Sequence, residues 1–205
     1  MTALYEWGPW VNGGAWLTVD GQRVDLLYRN LDQVRRVLAD CEAGRIESHY
    51  EQQPPFGYFS WTYLGDLHAC RPLYDPTGVI AGLRGRVIAY PPALREAIVR
   101  RQLWSAEFTG VHTVGCLARV TRSLVQVLFA WNEVFFTSDK TALFEIGGFP
   151  AQPDDFAARL TLALAQPGAT PAELARTVAA VRALTTETAA LCAPVCRSKY
   201  PTILG

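Results

Sequence analysis

The sequence predicts an α+β protein: a hairpin-centred N-terminal part followed by a C-terminal α-helical bundle. Three observations carry this. Runs rich in β-branched and aromatic residues flank the Asp20-Gly21 pair, the strongest short-range hairpin signal. From Thr77 onward, apolar residues recur at helical spacing and strand signals almost vanish. Between the two regions, Arg71-Pro72-Leu73-Tyr74-Asp75-Pro76 is bounded by prolines, which places the expected parts at 1–75 and 76–205.

The elements follow in order. Residues before Gly13 carry Trp7, Pro9 and Trp10 and are expected to form an extended lead-in. With Asp20 and Gly21 as a two-residue loop, Val19 pairs with Gln22, Thr18 with Arg23 and Trp16 with Asp25. Alternation along the strand then puts Val24, Leu26 and Tyr28 on one face and Arg23, Asp25 and Leu27 on the other. Asn30 and Gln33 predict a capping box for a helix from Leu31, with Leu31, Val34, Val37 and Leu38 on one face and Gly44 as its stop. Ile46 to Tyr50 suits a short strand. The prolines in Gln52-Gln53-Pro54-Pro55-Phe56-Gly57-Tyr58 exclude a regular helix and predict a loop. Phe59 to Cys70 is ambiguous, with helix preferred.

In the second part, Val79 to Tyr90 is a candidate helix weakened by Gly82 and Gly85, and Pro91-Pro92 opens the next, running through Leu94, Ile98, Arg101 and Leu103 to Phe108. The strongest helix signal spans Val114 to Phe135, where Leu117, Val120, Leu124, Leu128 and Trp131 form a buried stripe. Thr137-Ser138-Asp139 reads as a cap for a short helix from Ala142 to Ile146. A helix over Phe156 to Ala165 ends at Pro167-Gly168. Thr170-Pro171-Ala172-Glu173 is a capping box with proline at the first helical position, and opens an Ala-rich helix to about Ala193.

Composition narrows the function classes. The 205 residues are half hydrophobic and carry no net charge, so no electrostatic footprint for nucleic acid is visible. Five scattered cysteines, Cys41, Cys70, Cys116, Cys192 and Cys196, favour reduced thiols and a cytoplasmic protein over a disulfide framework. No basic segment followed by an apolar run opens the sequence, and no apolar stretch reaches the ~18 residues of a membrane span. His49, His68 and His112 lack metal-ligand spacing. Cys192 and Cys196 are one helical turn apart with no second pair, which argues against zinc. No phosphate-binding Gly-Lys-Ser/Thr loop follows Gly13-Gly14, and no Gly-x-Ser-x-Gly elbow exists.

Asp25 is the unusual residue. It interrupts the apolar run Val24-Asp25-Leu26-Leu27-Tyr28, where a carboxylate is costly unless paired, for instance with Arg23 or Arg29, or bound to a metal. The segment Arg23-Val24-Asp25-Leu26-Leu27-Tyr28-Arg29 resembles the last catalytic strand of the nucleotidyltransferase superfamily, to which kanamycin nucleotidyltransferase and DNA polymerase beta belong. A wider pattern, from WGPWVNGGAWL through EQQPPFGYFS and RPLYDPTG to NEVFFTSDKTAL, resembles a group of bacterial nucleotidyltransferase-like proteins. The resemblance implies a partial nucleotidyltransferase-like sheet, hairpin plus helix, ahead of the helical bundle. It also implies that Asp25 is the third metal-binding acid, with Mg²⁺ neutralising phosphate charge during transfer of a nucleoside monophosphate from a triphosphate to a hydroxyl acceptor. By the same resemblance, Glu107 is a general base on a helix, and Asn132, Asp139 and Lys140 line the nucleotide cleft with Lys140 facing phosphates. The plainer readings stay open: Glu107 paired with Arg100 or Arg101, and Asn132, Asp139 and Lys140 as an ordinary helix terminus.

The superfamily's first two acids lie in a Gly-Ser…Asp-x-Asp motif, and none of the twelve residues before Gly13 supplies it. The expectation is therefore a nucleotidyltransferase-like chain that is incomplete for catalysis by itself. The alternative is a non-catalytic binding or oligomerisation module derived from that fold. A missing strand would leave a sheet edge and apolar surface near Trp7, Trp10 and Trp16, which a homodimer would cover.

Overall fold

A computed structural model describes residues 1–52, 57–109, 114–197 and 199. It is a mixed α+β structure. The described residues form eight helices and two antiparallel sheets of two strands each. The chain divides into two compact units, Met1–Ile88 and Ala89–Gly205.

The first unit is built on the hairpin of β1 (Gly13–Val19) and β2 (Gln22–Tyr28). Its register is the one the turn chemistry requires: Val19 faces Gln22, Thr18 faces Arg23 and Trp16 faces Asp25. Asp20 at φ 49° and Gly21 at φ 79° supply the two positive φ angles of a type I′ turn. The lead-in is not extended. Glu6 N–H donates to Ala3 O and Gly8 N–H to Tyr5 O, so the segment turns back and lays Trp7 on Trp16, ring centroids 4.8 Å apart. Gly14 lies beneath this stack: a Cβ there would stand 2.0 Å from Leu26 O and 3.0 Å from the Trp7 ring.

Helix α1 (Leu31–Glu42) starts as half of the expected capping box. The Asn30 side chain accepts from Gln33 N–H at 3.0 Å. The Gln33 amide does not reciprocate; it donates to Pro9 O at 2.6 Å and accepts from Asn12. Val34, Val37, Leu38 and Cys41 are buried, whereas Leu31 is exposed, so the apolar face is rotated toward Cys41. Then come β3 (Ser48–His49) paired with β4 (Tyr58–Phe59), α2 (Thr62–Ala69) and α3 (Val79–Gly85). Most of the expected loop at 52–58 lies outside the described residues. Trp10, Leu38, Tyr58, Phe59, Tyr63 and Leu64 make the core of this unit. Trp10 is therefore not an uncovered surface residue: its indole stacks on Tyr58 and meets Tyr63 edge-on.

The regular elements among the described residues of the second unit are all helices: α4 (Pro92–Thr109), α5 (Val114–Trp131), α6 (Ala142–Ile146), α7 (Phe156–Ala165) and α8 (Pro171–Leu191). Helices α4 and α5 form an antiparallel hairpin, tied at one end by an ion pair of Arg95 with Glu133. The α5 stripe Leu117, Val120, Leu124 and Leu128 is fully buried, with Leu94, Ile98 and Leu103 of α4 also in the core. The capping box of α8 is complete: Thr170 Oγ1 accepts from Glu173 N–H and Glu173 accepts from Thr170 N–H. The Thr137-Ser138-Asp139 cap is misplaced. Helix α6 has Thr141 at its N-cap with no side-chain cap bond; the Thr141 hydroxyl donates instead to Glu145 at 2.5 Å. Among the described residues, no helix is long and apolar enough to cross a membrane.

Candidate functional site

The hairpin fixes the surroundings of Asp25. A two-residue turn makes its closing pair, Val19 and Gln22, hydrogen-bonded, so the pairs 17–24 and 15–26 are bonded too. The backbone N–H and C=O groups of Arg23, Asp25 and Leu27 then point away from β1. Their side chains share one face with Trp16, and Asp25 sits directly across from it, beside the Trp7–Trp16 stack. Apart from its final residue, β2 is exposed along its length. Asp25 is therefore solvated, and the cost expected of a carboxylate in an apolar run does not arise. It makes no ion pair among the described residues; Arg29, one of its proposed partners, turns instead to Asp66 at 3.1 Å. Among the described residues, no group of three His, Cys, Asp or Glu side chains is placed to hold a metal ion. One solvated carboxylate does not by itself make a magnesium site, which combines carboxylates with waters and substrate phosphates.

The other expected site residues lie in the second unit, at two separate places. Glu107, near the C-terminal end of α4, is fully buried. Its Oε2 accepts from Lys199 N–H at 3.1 Å, and its Oε1 has no hydrogen-bond partner among the described residues. Arg100 is not its partner, because Arg100 pairs with Glu96 one turn away. A general base must reach the hydroxyl it deprotonates; here the Glu107 carboxylate meets only protein. Asn132 lies just past the C-terminal end of α5, which is 18 residues long and so spans about 27 Å. Since α4 and α5 are antiparallel, Glu107 and Asn132 stand near opposite ends of the helical hairpin and do not share one site.

Asn132 is a bridge. Its Nδ2 donates to Leu128 O and Ala151 O, both at 2.8 Å, and its Oδ1 accepts from Ala151 N–H at 3.0 Å. Asp139 and Lys140 are exposed on the loop before α6, and Lys140 N–H donates to Ser138 Oγ at 3.2 Å. A separate open groove of about 620 Å³ runs between α7 and α8, lined by Arg159, Gln166, Arg176 and Thr177 among others, and contains none of the expected residues.

No family model, curated protein or solved structure matches the chain. The functional reading therefore rests on the residues and their geometry.

One polar cluster was not legible in the sequence. In the first unit, Arg29 donates to Asp66, lies 5.4 Å from the Tyr63 ring centroid and stands beside the Tyr58 hydroxyl. Burial pushes the Tyr58 phenol well above its ordinary value, with the Arg29 charge opposing, and pushes Tyr63 up to about 12. Burial also raises the Asp66 carboxyl, and the Arg29 charge and hydrogen bond pull it back only in part. Tyr63 donates to Trp10 O at 2.7 Å, while Trp10 Nε1 is buried without an acceptor among the described residues. Asp66 lies 37 residues from Arg29, on a helix with no local pattern that announces the pairing. Of the histidines, His49 packs edge-on to Trp10 and His68 Nδ1 meets Val87 O at 3.0 Å; His112 lies outside the described residues.

Proposed function

We propose that the chain is a nucleotidyltransferase-like protein whose hairpin presents Asp25 as one carboxylate of a shared divalent-cation and nucleoside triphosphate site. The observation that carries this is the position of Asp25. The segment that resembles the superfamily's catalytic strand is a true strand, and its acid is solvated, unpaired among the described residues and on the outward-bonding set of β2. The chemistry needs such a carboxylate because developing phosphate charge is neutralised by ions held on acids. Two further acids are required for nucleotidyl transfer, and the sequence does not carry their Gly-Ser…Asp-x-Asp motif. The reading is thus of a unit that contributes one ligand and acts with carboxylates from elsewhere.

The test is titration of ATP with and without magnesium by calorimetry. Magnesium-dependent binding that Asp25→Asn abolishes supports the proposal. Binding that survives the Asp25→Asn substitution, or its absence from the wild type, overturns it.

A second reading is a non-catalytic assembly module. It is favoured by the exposure of Trp16, at 75 %, together with Leu17, Val19, Val24, Leu26 and Leu27 on a sheet of only two strands. Such a hairpin is marginal in water unless further strands or a helix cover it. This reading predicts a homodimer.

A further inference from the structure

We infer that two copies of this chain associate through β2, edge to edge and antiparallel, in a single register centred on Val24. The inference rests on the assembly reading and supplies its geometry.

The two edges of the hairpin are not equivalent. On the outer edge of β1, Thr2 N–H donates to Gly14 O at 3.0 Å and Thr2 Oγ1 accepts from Gly14 N–H at 2.8 Å, so the chain's own N-terminal segment occupies part of it. The outer edge of β2 receives no backbone hydrogen bond from another element among the described residues. It presents the backbone groups of Arg23, Asp25 and Leu27 in sequence. An open row of donors and acceptors is a template for another strand.

Symmetry and charge then select the register. In a two-fold contact, residue i of one copy meets residue j of the other and j meets i. Backbone bonding requires outward-pointing residues to face one another, so the axis falls on one of residues 23 to 27. Centring on Arg23 sets the two Arg23 side chains against each other, and centring on Leu27 leaves Arg23 without a charged partner and sets Asp25 against Arg29, which already pairs with Asp66. Centring on Asp25 sets the two Asp25 carboxylates against each other, a destabilising like-charge pair. Centring on Leu26 sets Asp25 against Leu27 and brings Arg23 toward Arg29. Centring on Val24 sets Arg23 against Asp25 twice over, with Val24 facing its own copy at the axis. Only this register pairs every charge on the edge with its opposite. Both side chains are exposed and stand on the same face as Trp16, so nothing within the described residues must be broken to form the pairs. The product is a four-stranded antiparallel sheet, β1–β2–β2–β1, in which the inner strands no longer have open edges.

The test uses two single charge reversals, Arg23→Asp and Asp25→Arg, in the full chain at low ionic strength, where exposed charges are least screened. Sedimentation of the wild type should show a dimer. Each reversal alone sets like charges against each other at both symmetry-related positions and should weaken self-association roughly tenfold or more. Mixed together, the two variants restore both opposite pairs, and native mass spectrometry should show the heterodimer in excess over either homodimer. The double variant Arg23→Asp/Asp25→Arg should dimerise again. Heterodimer recovery also shows that the single variants are folded. A wild type that stays monomeric overturns both the inference and the assembly reading. A dimer indifferent to the reversals, with no preference for the mixed pair, overturns this register and leaves the assembly reading standing.

Discussion

Replacing Asn12 by Ala should loosen the hairpin from the body of the first unit. Asn12 is fully buried and joins three segments. Its Nδ2 donates to Pro9 O at 2.9 Å and to Gln33 Oε1 at 3.2 Å, while its Oδ1 accepts from Asn30 N–H at 2.6 Å. Pro9 O keeps a second donor in Gln33 Nε2, so its loss is small. Asn30 N–H is left with no acceptor, which costs about 1–3 kcal/mol, and the two remaining bonds are worth about 1 kcal/mol each. The sum is about 3–5 kcal/mol. For a unit of this size, that lowers Tm by roughly 12–40 °C. The assay is thermal unfolding combined with amide hydrogen exchange read by mass spectrometry. Protection should fall in peptides covering β1, β2 and α1 and hold in peptides covering α4 and α5. Asn12→Asp sharpens the test. It retains the acceptor for Asn30 N–H but turns an oxygen toward Pro9 O and Gln33 Oε1. The folded-state carboxyl pKa is then raised, native protein binds the proton more tightly, and stability should recover as pH falls through that raised value toward the ordinary carboxylate range. A Tm within about 3 °C of wild type for Asn12→Ala, or protection lost equally in the helical unit, would refute the assignment of Asn12 as the joint.

Two further outcomes test other parts of the structure. Because desolvation raises the Asp66 carboxyl in the folded state, the wild type should gain stability relative to Asp66→Asn as pH falls from neutral toward the ordinary carboxylate value; the difference between their urea midpoints across that range reads the gain. Alkylation of the native protein at mildly alkaline pH should modify the half-buried Cys70 and Cys116 first. It should spare Cys41 and Cys192, whose thiols burial pushes up to about 12, as well as the buried Cys196, in a peptide map taken over time.

What could be read from the sequence is what is decided locally. The hairpin register follows from two residues, Asp20 and Gly21, whose backbone preferences fix the pairing of everything around them. The start of α8 follows from Thr170 and Glu173, three residues apart. Helix α7 stops at Ala165, just ahead of the Pro167-Gly168 pair that marks its end. Misreadings occurred where a distant residue competes for the same group. Gln33 leaves its capping box because Pro9 O and Asn12 hold its amide. The three tryptophans of the N-terminal region look alike in sequence, yet Trp10 is core and Trp16 is exposed, since only Trp10 meets Tyr58 and Tyr63. The same limit applies to the site. Asp25 could be singled out from its apolar neighbours. The Arg29–Asp66 pair and the closure of Glu107 against Lys199 join residues 37 and 92 positions apart, which no local pattern encodes.

Gln52 shows what such long joints mean for how the chain is made. Its side-chain amide behaves as a detached peptide group: it accepts from Trp10 N–H and Val11 N–H and donates to Trp7 O and Val11 O, across a separation of 42 residues from Trp10. During synthesis, the segment from Trp7 to Val11 therefore leaves the ribosome well before the group that completes its hydrogen bonding. At about 5–20 residues per second, the delay is roughly 2–8 s. Through that interval the first tryptophans emerge with their backbone bonded only to water. The hairpin is complete in sequence once Tyr28 is clear, but two strands alone are marginal in water, so it too gains a fixed shape only when Asn30 and Gln33 follow to hold Asn12.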